Sequence, residues 1–353
     1  MDRDLLFQCL LGKNQQTKVK EEWLKNLEQE NPDQWLKFDF TPDKQKCQSE
    51  LKIELFKALV PDILSVFSSV SPEGLYQTLW EFWLPLALWL AASQKELRRP
   101  LIQGILGGQG TGKTTLGAVL NLILAKLGYT SASLSLDDLY KTYRDRQILK
   151  AQDPRFVRRG PPGTHEVELG IEVLQRCRNA QYPVEFPRFD KSAYGGEGDR
   201  TKPEIITDAD IVFFEGWFVG VQPIYPDRFA SAPAPIHTEA DRNFAQEINQ
   251  RLYEYLPLWK CLDQLIILSP IDYRWSKQWR WEAEQERMAT GKGGMSESEI
   301  SDFVDYFWRS LHPELFIIPL TQNSELTDLV VEINRDHSVG RIYQPRGEGG
   351  NLK

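Results

Sequence analysis

The stretch Leu-Ile-Gln-Gly-Ile-Leu-Gly-Gly-Gln-Gly-Thr-Gly-Lys-Thr-Thr-Leu-Gly, residues 101 to 117, constrains this chain more than any other. Gly107, Gly112, Lys113 and Thr114 fit the phosphate-binding spacing G-x-x-x-x-G-K-[ST]. A glycine-rich turn leaves backbone N–H groups bare for an anion, and the helix that follows aims its positive end at the same place. The loop Gly107, Gly108, Gln109, Gly110, Thr111, Gly112, Lys113, Thr114 and Thr115 is therefore the expected ATP cradle. Lys113 would serve the β- and γ-phosphates and Thr114 would ligate Mg²⁺. Context supports the motif. Leu101 to Leu106 is a short apolar run of strand type, and Leu116, Leu120, Ile123 and Leu127 repeat with helical spacing. The competing readings are a structural glycine turn and a nucleotide-binding loop without chemistry.

Strand-type runs recur at 131–136, 211–214, 265–268 and 329–333, separated by helical patterns, which predicts an α/β fold with a mainly parallel sheet flanked by helices. Residues 1 to 98 read as a helical extension packing on a P-loop core of residues 99 to 345, with 346 to 353 a disordered tail. Lys18 to Glu30 reads as a surface helix, Ser49 to Val60 as a helix with one apolar face, and Ser71-Pro72-Glu73 as a helix start. The apolar helix after it is too short between Glu81 and Ser93 to cross a membrane, and Pro85 interrupts it. A net charge of −8 argues against a nucleic-acid-binding surface. The four cysteines form no C-x-x-C pair and no leader segment is evident, so free thiols in the cytoplasm are expected.

Carboxylates stand where open α/β sheets bind ligands, at the carboxyl ends of strands. Asp137, just past the strand 131–136, is the candidate general base and a Mg²⁺-side ligand, with Asp138 the candidate helix cap. Glu215 ends the run Ile211 to Phe214 and is the second candidate metal-side carboxylate. Gly160-Pro161-Pro162-Gly163 sets a rigid turn that presents Thr164, His165 and Glu166. His165 is either a substrate contact or a satisfied helix-start histidine. Pro187 to Arg200 mixes charges, aromatics and glycines, as a binding loop does. Pro223 to Ala240 reads as a surface loop. Lys277, Arg280, Glu284 and Arg287 form one helical stripe, Gly291 to Gly294 a hinge-like break, and Ser296 with Glu299 a capping box. Together, about 272 to 310 reads as a mobile lid or as a solvated helical hairpin.

Four stretches, Gly107 to Thr115, Ser135 to Tyr140, Pro187 to Arg200 and Ala209 to Trp217, resemble P-loop kinases of the phosphoribulokinase, uridine kinase and pantothenate kinase group. The nearer resemblance is to D-glycerate 3-kinase of plant and cyanobacterial type. Arg159-Gly160-Pro161-Pro162-Gly163-Thr164-His165-Glu166 is similar to that family's R-G-x-x-G-T-H-D, Pro187 to Ser192 to its P-R-Y-D-K-S, Phe214 to Trp217 to its F-E-G-W, and Gly291 to Ser296 to its G-K-P-G-M-S. Departures are Glu166 for Asp, Phe189 for Tyr, and Gly293-Gly294 for proline then glycine. The resemblance covers roughly residues 99 to 335. It implies a P-loop NTPase-type fold with a lid, and phosphorylation of D-glycerate by ATP with Mg²⁺, the closing step of photorespiration. It implies a small-molecule partner, with neither nucleic acid nor membrane. A nucleoside or pantothenate kinase is the alternative, and a non-catalytic regulator the third reading. An acceptor carboxylate would then fall to Arg200 or Arg188, with Lys191 a point charge, Asp190 beside them and His165 on the 2-hydroxyl. Arg200 is the first choice, and could alternatively hold the γ-phosphate. Arg280 or Arg287 would meet the transferring phosphoryl group on lid closure.

Overall fold

The computed structural model describes residues 42–67, 72–289 and 294–346. The expected Lys18–Glu30 helix, the Ser71 cap, most of the hinge-like glycine break and the expected disordered tail lie outside these residues. The chain divides into two compact units. One is Met1–Arg98 with Thr115–Thr130, and the other is Arg99–Thr114 with Ser131–Lys353.

The first unit is helical. α1 (Pro42–Val66) sets Phe56, Leu59 and Ile63 inside, and the Phe56 ring meets Trp80 edge-on at 5.7 Å. α2 (Pro72–Thr78) passes through a π turn at Leu79–Trp83 into α3 (Leu84–Leu97). Pro85 is the physical cause: its ring would clash with a carbonyl one α-turn back, and the wider turn accommodates it. The Leu84 N–H accordingly bonds five residues back, to the Leu79 carbonyl. No helix among the described residues is long and apolar enough to cross a membrane.

The second unit is built on a six-stranded sheet in the order β2-β5-β1-β6-β7-β8. The strands are β1 (Leu101–Gly107), β2 (Ser131–Ser135), β5 (Ile211–Gly216), β6 (Gln264–Pro270), β7 (Leu329–Ile333) and β8 (Val339–Tyr343). Every neighbouring pair is parallel except β7–β8. β1 is buried along its whole length, as a strand of a parallel sheet covered on both faces must be. The five strands expected from apolar runs are all present. β8 was not legible, because Val-Gly-Arg-Ile-Tyr at a half-exposed edge carries no apolar run.

Two expectations need correction. Pro187 to Arg200 is not one loop. Its ends belong to a separate antiparallel hairpin, β3 (Val184–Asp190) with β4 (Asp199–Ile206), and only the turn between is loop. β4 is largely exposed, so no buried face imposes alternation on it. Nor is 223–240 wholly a surface loop: Phe229 and Ile236 are buried in the core.

β1 lies between β5 and β6, and β5 lies between β2 and β1. Ile105 of β1 and Ser135 of β2 both pair with Glu215 of β5. The three strands therefore end side by side, and whatever follows them in sequence converges at one edge of the sheet. α4 (Lys113–Lys126) starts there, immediately after the glycine loop.

Candidate active site

Within the second unit, a cavity of about 950 Å³ opens over those strand ends. Its walls include Lys113, Thr114, Asp137, Lys191, Glu215 and Arg280, and Arg287 also lines it. Sequence reasoning named all seven, and the fold brings them together although 174 positions separate Lys113 from Arg287 in the numbering.

The glycine loop is shaped by its neighbours. Gly110 has φ +79°, and a Cβ there would sit 2.7 Å from the Trp279 Cβ. Only glycine meets both conditions cheaply. The Gly110 carbonyl is 2.8 Å from His337 Nδ1, and Trp279 Nε1 donates to the Arg335 carbonyl at 2.8 Å. The Lys113 ammonium donates to the Gly108 carbonyl at 3.0 Å and stands 4.0 Å from Glu215. Burial lowers its pKa, against the opposing pull of Glu215 and Asp137.

The two aspartates after β2 have different surroundings. Ser135 caps a single 3₁₀ turn, Leu136–Leu139, and the Asp138 carboxylate closes the capping box by accepting the Ser135 N–H. Asp138 also takes Arg188 Nη1 at 2.8 Å, and burial raises its pKa despite these contacts. Asp137 instead faces the cavity. Its Oδ1 accepts the Tyr140 hydroxyl at 2.7 Å and its Oδ2 accepts Lys191 Nζ at 2.6 Å. Burial would raise the Asp137 pKa, but the Lys191 charge and these two hydrogen bonds outweigh it and hold the carboxyl below its usual value.

His165 is 2% exposed and stacks on the Tyr140 ring at 4.6 Å. Its Nδ1 lies 2.8 Å from the Tyr255 hydroxyl, whose oxygen already accepts the Gly163 N–H at 2.9 Å. The tyrosine proton is thus best spent on Nδ1, which assigns the imidazole proton to Nε2. Nε2 is buried without a partner among the described residues. Burial pushes the His165 pKa down to about 3, so the ring is neutral.

Four expected substrate residues are not on the cavity wall, the buried His165 among them. The Arg188 guanidinium is consumed by Asp138, the Ser133 carbonyl and Glu204. It fastens the hairpin to β2. Asp190 accepts the Ser192 N–H and hydroxyl and shapes the turn. Arg200 donates Nε to the Tyr140 carbonyl at 3.0 Å, a positional role beneath the site. Arg188 is spent between the hairpin and β2, whereas Arg200 keeps its Nη2 buried without a partner among the described residues, away from the cavity wall. Residues that sequence reasoning passed over line the cavity instead, among them Arg158, Arg159, Tyr140, Trp217 and Trp279. Arg159 opens the R-G-x-x-G-T-H-E element, and that position was the available signal.

The two arginines expected to belong to a lid are tied to one buried carboxylate. On α8 (Trp275–Ala289), Glu284 has no side-chain exposure; it pairs with Arg287 and, at 3.4 Å, with Arg280. It also accepts the Met295 N–H at 3.1 Å, ahead of α9 (Glu297–Ser310), where Ser296 and Glu299 form the capping box.

Among the described residues there is no cluster of three or more His, Cys, Asp or Glu that would make an all-protein metal cage. The donor set fits Mg²⁺ nonetheless. That ion is commonly held by one or two carboxylates together with substrate phosphates and water, and the Thr114 hydroxyl, Asp137 and Glu215 supply hard oxygen donors around one cavity.

No family model matches the chain. The chloroplastic D-glycerate 3-kinase of Arabidopsis thaliana is 29% identical over 249 residues, 65% of this chain and 53% of that protein. The chain thus matches about half the length of that relative. The uncharacterized kinase mug58 of Schizosaccharomyces pombe is 30% identical over 221 residues, 59% of this chain and 79% of the relative. The solved structure of D-glycerate 3-kinase from Cryptococcus neoformans superposes with a TM-score of 0.67 at 25% identity, covering 74% of this chain and 98% of that one. With the phosphate loop, the strand-end carboxylates and the sheet order in place, these similarities agree that the chain belongs to the D-glycerate 3-kinase family of P-loop kinases.

Proposed function

We propose that the protein transfers the γ-phosphoryl group of ATP to the 3-hydroxyl of D-glycerate, giving 3-phosphoglycerate and ADP. The observation that carries this reading is the convergence of Lys113, Asp137 and Glu215 on one cavity whose remaining charged wall is mainly cationic. A cationic wall suits an anionic acceptor, in a chain whose net charge is −8.

In this reading the glycine loop and Lys113 hold the phosphates. The nucleoside end extends toward the cleft lined by Trp275, Gln278, Asn334, Arg335 and His337, which adjoins the loop through the Gly110–His337 contact. Thr114, Asp137 and Glu215 would hold Mg²⁺, which when bound neutralises charge on the phosphates. The acceptor oxygen attacks the γ-phosphorus, the bond to the β–γ bridging oxygen breaks, and Asp137 takes the hydroxyl proton. Its lowered pKa keeps it ionised at neutral pH. A weak base of this kind accepts the proton late, in keeping with a loose phosphoryl-transfer transition state. The neutral His165, off the cavity wall, supports the Tyr140 ring whose hydroxyl orients Asp137. Lid arginines 280 and 287 add charge stabilisation that grows as the phosphoryl group transfers. The buried free thiols Cys177 and Cys261 support a cytoplasmic setting.

The test is ADP release measured with D-glycerate, L-glycerate, glycerol, uridine and pantothenate as acceptors, and with none. D-glycerate should give by far the highest kcat/KM. Turnover of uridine or pantothenate without turnover of glycerate would overturn the acceptor and keep the kinase. Nucleotide binding without turnover of any acceptor would overturn catalysis itself.

A further inference from the structure

We propose that Arg159 is the anchor for the acceptor's carboxylate, in place of Arg188 and Arg200. The inference rests on the acceptor being a small carboxylic acid, as the proposed function has it.

The cations along the cavity fall into two sets. Lys113, Lys191, Arg280 and Arg287 each pair with a carboxylate of the protein. Arg146, Arg158, Arg159 and Lys150 line the same cavity and form no ion pair among the described residues. Arg146 is buried and spends both its Nη atoms on the Lys141, Glu197 and Gly198 carbonyls. Arg159 is fixed in place by hydrogen bonds and is more exposed. Its Nη1 donates to the Gly196 carbonyl at 2.7 Å and to the Glu197 carbonyl at 2.8 Å. Its guanidinium lies 5.5 Å from the Phe189 ring centroid and 5.9 Å from that of Tyr140. The Nε and Nη2 edge makes no hydrogen bond among the described residues. That edge is a ready-made two-point fork for a carboxylate.

Position supports the assignment. The Tyr140 ring beneath Arg159 carries the hydroxyl that donates to Asp137, and its other neighbour is the stacked His165. One aromatic ring thus relates an oriented cation to the candidate base, with the buried imidazole packed against it. A small hydroxy acid needs those two contacts: one for its carboxylate and one for the reacting hydroxyl. Burial and the neighbouring Arg159 charge lower the Arg146 pKa against the opposing pull of Asp199 and Glu197, and an anion on Arg159 would relieve that repulsion.

Steady-state kinetics on the wild type, Arg159→Gln and Arg159→Lys, each with a thermal melt, test this. D-glycerate, glycerol and ATP are varied in turn. Arg159→Gln should raise KM for D-glycerate by about 10- to 100-fold, the range for a lost charge-assisted pair. KM for ATP should move less than about twofold, and the weak turnover of glycerol should stay level, because a neutral alcohol does not use the fork. Arg159→Lys keeps the charge but not the fork, and should fall between. It also decides the matter if the glutamine variant unfolds on losing its ties to the 196–197 carbonyls. An unchanged KM for D-glycerate in a folded variant, or an equal rise for ATP, overturns the anchor while leaving the kinase reading intact. A wild type that phosphorylates only neutral acceptors overturns the acceptor reading and the anchor with it.

Discussion

His165 makes acid stability a readout of the active site. The imidazole is 2% exposed, bound at Nδ1 to Tyr255 and held neutral down to about pH 3. In the unfolded chain the same ring protonates near pH 6.5. Between those values the unfolded state binds a proton that the native state refuses, so stability falls as pH falls. The contribution is complete above pH 6.5 and is lost on the way to pH 3. At pH 4.5 the native ring is still neutral, two units below the unfolded value, and the loss is about 3 kcal/mol. His165→Gln removes the titration. Its fixed cost from altered packing cancels when each protein is referenced to itself at pH 7.5. Urea unfolding at pH 7.5, 6.5, 5.5 and 4.5 on both proteins isolates the ring, since the other histidines titrate equally in both. The wild type should lose about 3 kcal/mol more than the variant by pH 4.5. Parallel curves would refute the buried neutral imidazole, and with it the assignment of its proton to Nε2.

Asp137→Asn should lower kcat by on the order of 10²- to 10⁴-fold with acceptor binding retained, while Glu215→Gln should raise the Mg²⁺ concentration needed for half-maximal rate; a crippled Asp138→Asn beside an active Asp137→Asn would mean that the capping-box aspartate is the base. Gly110→Ala puts a Cβ 2.7 Å from Trp279 at a positive φ; it should cost about 2 kcal/mol in unfolding free energy and raise KM for ATP, and an unchanged melt would show that the loop relaxes freely away from α8. Replacing Arg280 and Arg287 together with Ala should lower kcat much more than it weakens ADP binding measured by calorimetry, and equal effects would make α8 a structural helix only.

The sequence alone determined the nucleotide end of this protein and most of its sheet. Phosphate binding there is a backbone affair of consecutive residues, so Gly107 to Thr114 carries its geometry in its own spacing. The parallel strands are buried on both faces, and burial leaves apolar runs that can be read without a structure. Asp137 and Glu215 were legible for a related reason, since each directly follows such a strand. What only the tertiary structure decided was which cations stand open at the proposed acceptor end. Arg159, Tyr140 and Lys191 come from three separate segments, and no spacing relates them. Whether an arginine binds substrate depends on whether the fold has already spent its donors. Arg188 meets Asp138 and Glu204 across a hairpin whose exposed strand shows no alternation, while Arg159 keeps one edge of its guanidinium open. Composition and motif cannot distinguish the two, because hydrogen bonds between distant segments are fixed only when the strands register and the turn closes.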